Sequence, residues 1–84
     1  MAENRFVGTY AFPDGTLASV RRGARFLEVA VPGQFTAGLL PENATTFYAP
    51  FFEGDVTFTA DDAGHVVSLN AHYGGVDHVA RRTG

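Results

Sequence analysis

The stretch LNAHYGGVDH, residues 69–78, contains the side chains of this sequence best suited to acid–base or metal chemistry. His72 and His78 can transfer protons near neutral pH, and imidazole and carboxylate groups such as that of Asp77 bind metal ions. Whether these groups can act together depends on how the chain folds at the Gly74-Gly75 pair between them.

Hairpin geometry divides these residues between two faces of a sheet. A two-residue turn at Gly74-Gly75, or a loop of four residues, pairs His72 with Asp77 and Ala71 with His78, whereas a three-residue loop would shift the register. Because side chains alternate along a strand, His72 and His78 then lie on opposite faces and cannot share a metal ion. The sequence predicts a solvent-facing His72–Asp77 pair, an inner His78 that needs a hydrogen-bond partner, and no metal site.

No other group of residues in the sequence has the types and spacing of a catalytic site. Ser19 and Ser68 fall in the middle of predicted strands, and neither lies in the G-x-S-x-G turn that presents a serine nucleophile. Asp61 and Asp62 precede Ala63-Gly64, where an aspartate typically hydrogen-bonds the backbone of its own turn. His65, in the same turn, has no obvious partner. The sequence therefore predicts no catalytic residue and no cofactor.

The basic residues are all arginines, clustered at 21–25 and 81–82 apart from Arg5. They could bind a carboxylate or phosphate, but the favoured interpretation is a solvated face or charge that protects edge strands from aggregation. If the first and last strands meet, Arg81 or Arg82 lies near residues 5–7 and forms a basic patch at the seam.

The composition predicts one small globular domain over residues 1–84, because 45% of the residues are hydrophobic and 18% are charged. The net charge of −3 argues against general nucleic-acid binding, which needs a basic face. No stretch reaches the roughly 20 apolar residues of a membrane-spanning helix. The start, MAENRFVG, has no apolar signal core, which leaves the compartment open.

Turn signals recur at short, regular intervals and predict an all-β fold. The predicted strands are 5–12, 17–22, 25–31, 34–40, 45–49, 55–60, 66–73 and 76–82. Short connections favour antiparallel pairing between sequence neighbours. An eight-stranded antiparallel meander hides its edges by closing into a small barrel or half-barrel, whose interior is filled by side chains or holds one small ligand. A two-layer sandwich is the alternative.

Alternation within the strands assigns side chains to shared faces. The sets that share a face are Leu27, Val29 and Val31; Phe35, Ala37 and Leu39; Val56, Phe58 and Ala60; and Val67, Leu69, Ala71 and Tyr73.

The segment from Tyr48 to Phe52 is apolar although it falls where a loop is expected. Adjacent residues of an extended chain point in opposite directions, so Phe51 and Phe52 cannot both face one core. Tyr48, Phe51 and Phe52 are therefore the predicted contact surface for a second copy or a partner domain. The alternative is a loop that folds back and plugs the barrel end.

Several motifs occur in an order that resembles a known family. They are G-T-Y at 8–10, R-F-L-E-V at 25–29, L-L-P-E-N at 39–43 with a following Phe47, V-T-F-T-A-D-D-A-G-H-V at 56–66, Tyr-Gly-Gly at 73–75 and A-R-R at 80–82. In this order they resemble the small lipocalin-like β-barrel domain found C-terminal to β-lactamase-like serine hydrolases and peptidases. The resemblance implies an accessory module without an active site, whose parent hydrolase domain is either absent or lies outside this chain.

Three functions follow as hypotheses. The leading one is a non-catalytic accessory domain that packs on a parent hydrolase domain or self-associates. The second is a binder of a small apolar ligand in the barrel, with Tyr10, Tyr73 and His78 as polar groups. The third is a cofactor-free isomerase or cyclase that uses His78 or His72 as general base.

Overall fold

The computed structural model describes residues 5–84, and within them it is an all-β fold. The strands are β1 (Gly8–Ala11), β2 (Leu17–Arg22), β3 (Leu27–Val31), β4 (Phe35–Pro41), β5 (Thr46–Ala49), β6 (Gly54–Ala60), β7 (Val66–Tyr73) and β8 (Val76–Arg82). Each strand pairs antiparallel with its neighbour in sequence. The predicted strand order is confirmed. No helix in the described range is long and apolar enough to span a bilayer.

The sheet closes on itself. β1 pairs with β8 through Tyr10 opposite Arg82 and Ala11 opposite Arg81, which completes a barrel in the order β1 to β8. The closed barrel confirms the predicted fold and excludes the sandwich. Along these two pairs, closure removes the free edges that an open sheet of short strands would expose.

The barrel centre is filled by aromatic side chains. Phe58 stacks on Phe6 at a centroid distance of 4.5 Å and meets Phe47 edge-on at 5.7 Å. The fully buried Tyr10 donates a 2.8 Å hydrogen bond from its hydroxyl to the carbonyl of Phe6. Burial raises the pKa of Tyr10, and the nearby charge of Arg82 opposes that shift. These rings leave the central section of the barrel densely packed.

Arg82 closes one end of the barrel. Its guanidinium donates to the carbonyl oxygens of Arg5 at 2.9 Å, Val7 at 2.7 Å and Val66 at 3.3 Å. The prediction that Arg81 or Arg82 lies near residues 5–7 is confirmed. The Arg82 guanidinium does not contribute to an exposed basic patch. It donates instead to backbone carbonyls that would otherwise lack a hydrogen-bond donor.

A β-bulge corrects one predicted face. Strict alternation predicts Val67 on the same face as Leu69, but the structure buries Val66 and leaves Val67 exposed. Thr59 pairs with Ser68 while Ala60 pairs with Val66, so β7 carries one extra residue at this point. The bulge reverses the alternation before Leu69 and leaves the later part of the strand as predicted. Ala60, at the end of its strand, is also exposed.

Candidate functional site

Four connections between strands form the end of the barrel opposite Arg82. We call this the open end; it carries the connections at 12–16, 32–34, 50–53 and 74–75. Gly74 and Gly75 have φ values of 59° and 75°, which suit the two-residue turn that joins twisted antiparallel strands. The resulting register places Tyr73 opposite Val76 and Ala71 opposite His78, as predicted.

The seam between β1 and β8 opens towards this end. β1 stops at Ala11, and the chain turns into a hairpin loop in which the amide of Phe12 donates to the carbonyl of Thr16 at 2.8 Å. If the register of the seam continued, Pro13 would lie opposite Val79. Proline has no N–H to donate to a ladder, so the pairing ends there. The upper part of β8 consequently has no strand beside it on the β1 side within residues 5–84.

A cleft of about 430 Å³ occupies the gap. Its walls are Phe12, Pro13, Asp14, Thr16, Val31, Gln34, Phe35, Tyr73, Asp77, His78 and Val79. A cleft of this size, which combines aromatic and aliphatic walls with several polar groups, can hold a small molecule or a side chain of a partner.

An aromatic rim borders the cleft. We use this name for Phe35, Phe51, Phe52, Tyr73 and His78. Phe35 stacks on Phe51 at 5.2 Å, Phe52 meets Tyr73 at 5.0 Å, and Tyr73 stacks on His78 at 4.5 Å between ring centroids. The rim is continuous across three connections of the open end.

The residues of the predicted contact surface separate in the structure. Phe52 packs against the core, while Phe51 is 64% exposed. The two alternatives for this loop therefore each describe one ring: Phe52 covers the barrel end and Phe51 faces solvent. Tyr48 lies elsewhere, on the outer wall of β5 between Leu40 and Asp55.

The predicted polar groups of a ligand site separate in a similar way. Tyr73 and His78 lie together at the cleft, whereas Tyr10 is enclosed in the core and bonded to Phe6. The imidazole nitrogens of His78 have no hydrogen-bond partner among residues 5–84. The hydrogen-bond partner expected for the inner His78 is therefore not found among these residues, and the ring stacks on Tyr73 instead.

The outer face of the last hairpin carries the predicted ion pair. His72 Nδ1 lies 2.6 Å from Asp77 Oδ1, and Asn70 Nδ2 donates to the same oxygen at 3.1 Å. The hydrogen bonds from Asn70 and then His72 lower the pKa of Asp77, with smaller contributions from the charges of His72 and His78. His72 and His78 do face opposite sides of the sheet, so the described chain brings no pair of histidines to one metal position.

The Asp61 turn follows the predicted turn chemistry. Asp61 Oδ1 accepts from the amides of Ala63 at 3.0 Å and His65 at 2.9 Å. These backbone bonds lower the pKa of Asp61. The expectation that His65 has no partner is wrong, because its Nδ1 lies 3.7 Å from Asp61 Oδ2.

Two features of the open end escaped the sequence interpretation. Phe35 shares the side of β4 that carries Ala37 and Leu39, as predicted, but it is the first residue of the strand and so reaches the rim. Pro13 carried a usable signal, because a proline one residue past the closing strand limits how far the barrel seam can extend.

Comparison with known proteins adds no relative: no family model, curated protein or solved structure matches the chain. The likeness to hydrolase-associated barrel domains therefore depends on the quoted motifs alone. The fold and site define a closed eight-stranded barrel with a cleft at an incompletely paired seam.

Proposed function

We propose that this protein is a non-catalytic interaction module that binds a partner protein through its open end. One observation carries the proposal: the aromatic rim borders a cleft, and its outermost ring, Phe51, is 64% exposed. Aromatic rings beside a concave site are typical of the residues that dominate binding energy at protein interfaces.

The surroundings of the rim extend the apolar surface. Tyr73, Val76 and Val79 of the last hairpin are all partly exposed, at 38%, 51% and 49%. Tyr73 and Val79 also line the cleft, so exposed apolar surface continues from the rim into the concave site, as is characteristic of a binding site. Phe26, by contrast, is an exposed aromatic residue at the opposite end of the barrel, without a neighbouring ring interaction among the described contacts.

A selection from an unrestricted peptide library displayed on phage tests the proposal. The immobilised domain should enrich peptides with a large apolar residue, and Phe51→Ser should weaken their binding at least about tenfold, as for an interface residue that dominates binding. Phe26→Ser is the matched control and should leave binding unchanged. Failure to enrich any sequence, or equal loss in both variants, would contradict the proposal.

The sequence predicts two alternative partners: a second copy of this chain and a parent hydrolase domain. Light scattering after size exclusion distinguishes the first, since a dimer formed through the open end should dissociate in the Phe51→Ser variant and persist in Phe26→Ser. The full gene addresses the second: a hydrolase domain encoded before residue 1 would support a parent enzyme, and its absence would favour a stand-alone relative.

A small-ligand binder is the second candidate, favoured by the free nitrogens of His78 beside Tyr73 in the cleft. Screening aromatic fragments by NMR tests it: bound fragments should shift the resonances of Tyr73, His78 and Phe35, and His78→Leu should abolish the effect. Shifts confined to residues of the opposite end would argue against this role.

A further inference from the structure

The backbone of β8 presents an unpaired edge to the cleft. In an antiparallel ladder, the N–H and C=O groups of successive residues point alternately to the two sides. The amide of Thr83 donates to the carbonyl of Thr9 at 2.7 Å, which shows that the odd-numbered residues of this strand face β1. Asp77 and Val79 have the same parity as Thr83, and they lie beyond the two pairs that join β1 to β8.

The β7–β8 hairpin independently indicates that only the even-numbered residues of β8 direct their backbone groups towards β7. A two-residue turn makes its flanking pair, Tyr73 and Val76, a hydrogen-bonded pair, so the even-numbered residues of β8 bond to β7. The N–H and C=O groups of Asp77 and Val79 therefore have no strand partner in the described part of the chain. Both residues line the cleft.

The side chains around this edge specify what can lie beside it. A strand added to β8 would place the side chain opposite His78 on the inner face, where Phe12, Val31 and Phe35 form apolar walls. The cleft is large enough, at about 430 Å³, for an aromatic ring at that position.

The charge at the cleft favours basic neighbours. Asp14 and Asp77 line it, and none of its lining residues is an arginine. The Asp77 carboxylate lies on the outer face, where Oδ1 already bonds His72 and Asn70. It would attract a lysine or arginine directly next to the central apolar residue, because that side chain points to the same outer face.

We propose that the cleft binds an extended peptide segment of a partner, which adds to the free edge of β8 at Asp77 and Val79 as an antiparallel strand with an aromatic residue opposite His78 and basic residues flanking it. This inference rests on the proposed interaction function and names the form of the partner. Strand addition to an exposed sheet edge combines backbone hydrogen bonds for affinity with side-chain pockets for specificity.

Amide hydrogen exchange of the free domain tests the edge itself. The amides of Asp77 and Val79 should exchange fast, and those of His78 and Ala80 slowly, because only the even-numbered amides are held by β7. Uniform protection along β8 would overturn the inference.

The probe for binding is the acetylated and amidated peptide Thr-Lys-Phe-Lys-Thr, whose lysines lie on the outer face with Asp77 when its phenylalanine lies opposite His78. Its addition should protect the amides of Asp77 and Val79 and shift the resonances of Phe35 and His78. N-methylation at the second and fourth residues, which face β8, should weaken binding about tenfold or more, as for two lost hydrogen bonds. N-methylation at the third residue, which faces away, should have little effect. The charge-reversed peptide Thr-Glu-Phe-Glu-Thr should bind more weakly.

A variant of the chain provides an independent test. Val79→Pro removes an amide that faces the free edge without removing a bond to β7, and proline is tolerated at such positions. This variant should lose peptide binding while Val79→Thr retains it. If Val79→Pro does not fold, the exchange pattern and the methylated peptides decide the question in the wild-type chain.

The outcomes separate this inference from the proposed function. Library-selected peptides that depend on Phe51 but leave the Asp77 and Val79 amides unprotected would overturn strand addition and leave the interaction function standing. Failure of the probe to bind at millimolar concentration, or equal sensitivity to both methylation patterns, would also overturn it. Protection of both amides without peptide, together with a dimer by light scattering, would assign the edge to a second copy instead.

Discussion

The phenol ring of Tyr73 lies nearly parallel to the imidazole of His78, with 4.5 Å between centroids and 18° between planes. The two residues are diagonal neighbours, because Tyr73 pairs with Val76 and His78 pairs with Ala71. Diagonal pairs are within reach of aromatic side chains on one face of a hairpin. The stack fixes the orientation of the only inward-facing histidine of the described strands, and it does so at the wall of the cleft.

A double-mutant cycle measures this stack. Tyr73→Leu and His78→Leu should show a coupling of about 0.5–1.5 kcal/mol in the free energy of unfolding, the range for aromatic pairs. Urea denaturation of the four proteins gives the value. The pair Tyr73 and His72, which are on opposite faces, is the control and should be additive. Additivity for Tyr73 and His78 would show that the stack does not contribute to stability.

Arg82 should matter far more for stability than its neighbour in sequence. Arg82→Met leaves the carbonyls of Arg5, Val7 and Val66 without their donor, so we expect a loss of about 2–4 kcal/mol. Arg81→Met changes an exposed side chain on the outer wall and should alter stability by less than about 0.5 kcal/mol. Urea titration monitored by tyrosine fluorescence compares them, and similar values for both variants would contradict this account of the closed end.

Phe58 should be the most sensitive aromatic residue of the core. Its ring contacts Phe6, Tyr10 and Phe47, and Phe58→Ala should reduce stability by about 3–5 kcal/mol. That loss is a large share of the stability of a small domain, so extensive unfolding at room temperature is an expected result. Phe26→Ala removes an exposed ring and should leave the circular dichroism and melting temperature close to those of the wild type.

The Asp61 turn should make stability depend on pH in the acidic range. Hydrogen bonds from the amide of His65 and from neighbouring amides lower the pKa of Asp61 in the folded state. The ionised carboxylate therefore favours folding above its unfolded pKa, and this contribution disappears as pH falls through the folded pKa. Asp61→Ala should lower the melting temperature at pH 7, and the difference from wild type should narrow on acidification. Asp62→Ala, one residue away, should show no comparable trend.

The contribution of Glu42 to stability should depend on pH in the opposite direction to that of Asp61. A hydrogen bond with the Asp55 carboxyl group raises the pKa of Glu42, and desolvation and the Asp55 charge act in the same direction. Folding favours the protonated form of Glu42. Its contribution to the free energy of unfolding is therefore complete below the unfolded pKa and is lost as pH rises through the folded pKa. Glu42→Gln should raise the melting temperature at pH 7 and have less effect near pH 4. Glu53→Gln provides a control at another exposed glutamate, and equal effects of both would count against the Glu42–Asp55 interaction.

The features that could be predicted from the sequence are the turns and the hairpin register, which depend on residues close together in the chain. The Gly74-Gly75 pair specified the register of the last hairpin, and with it the His72–Asp77 pair and the inward position of His78. The Asp61 turn followed from the same kind of short-range chemistry. In each case the partners are a few residues apart, so a turn type is sufficient to place them.

Non-local pairing produced what the sequence did not reveal. The bulge at Val66 and Val67 depends on how β7 meets Ala60, and two adjacent valines give no sign of which faces inward. The cleft depends on where β1 stops beside β8, which involves residues at opposite ends of the chain. The rim required knowing that Phe35, Phe52 and Tyr73 from separate connections converge at one end of the barrel.

The bond from Arg82 to the carbonyl of Arg5 spans 77 positions of the chain. Bringing together residues this far apart costs loop-closure entropy, so such contacts form late in folding. The hairpins can form one after another from local contacts, but the barrel cannot close until Arg82 reaches the carbonyls of Arg5, Val7 and Val66. Closure of the seam is therefore expected to limit the rate at which this domain folds.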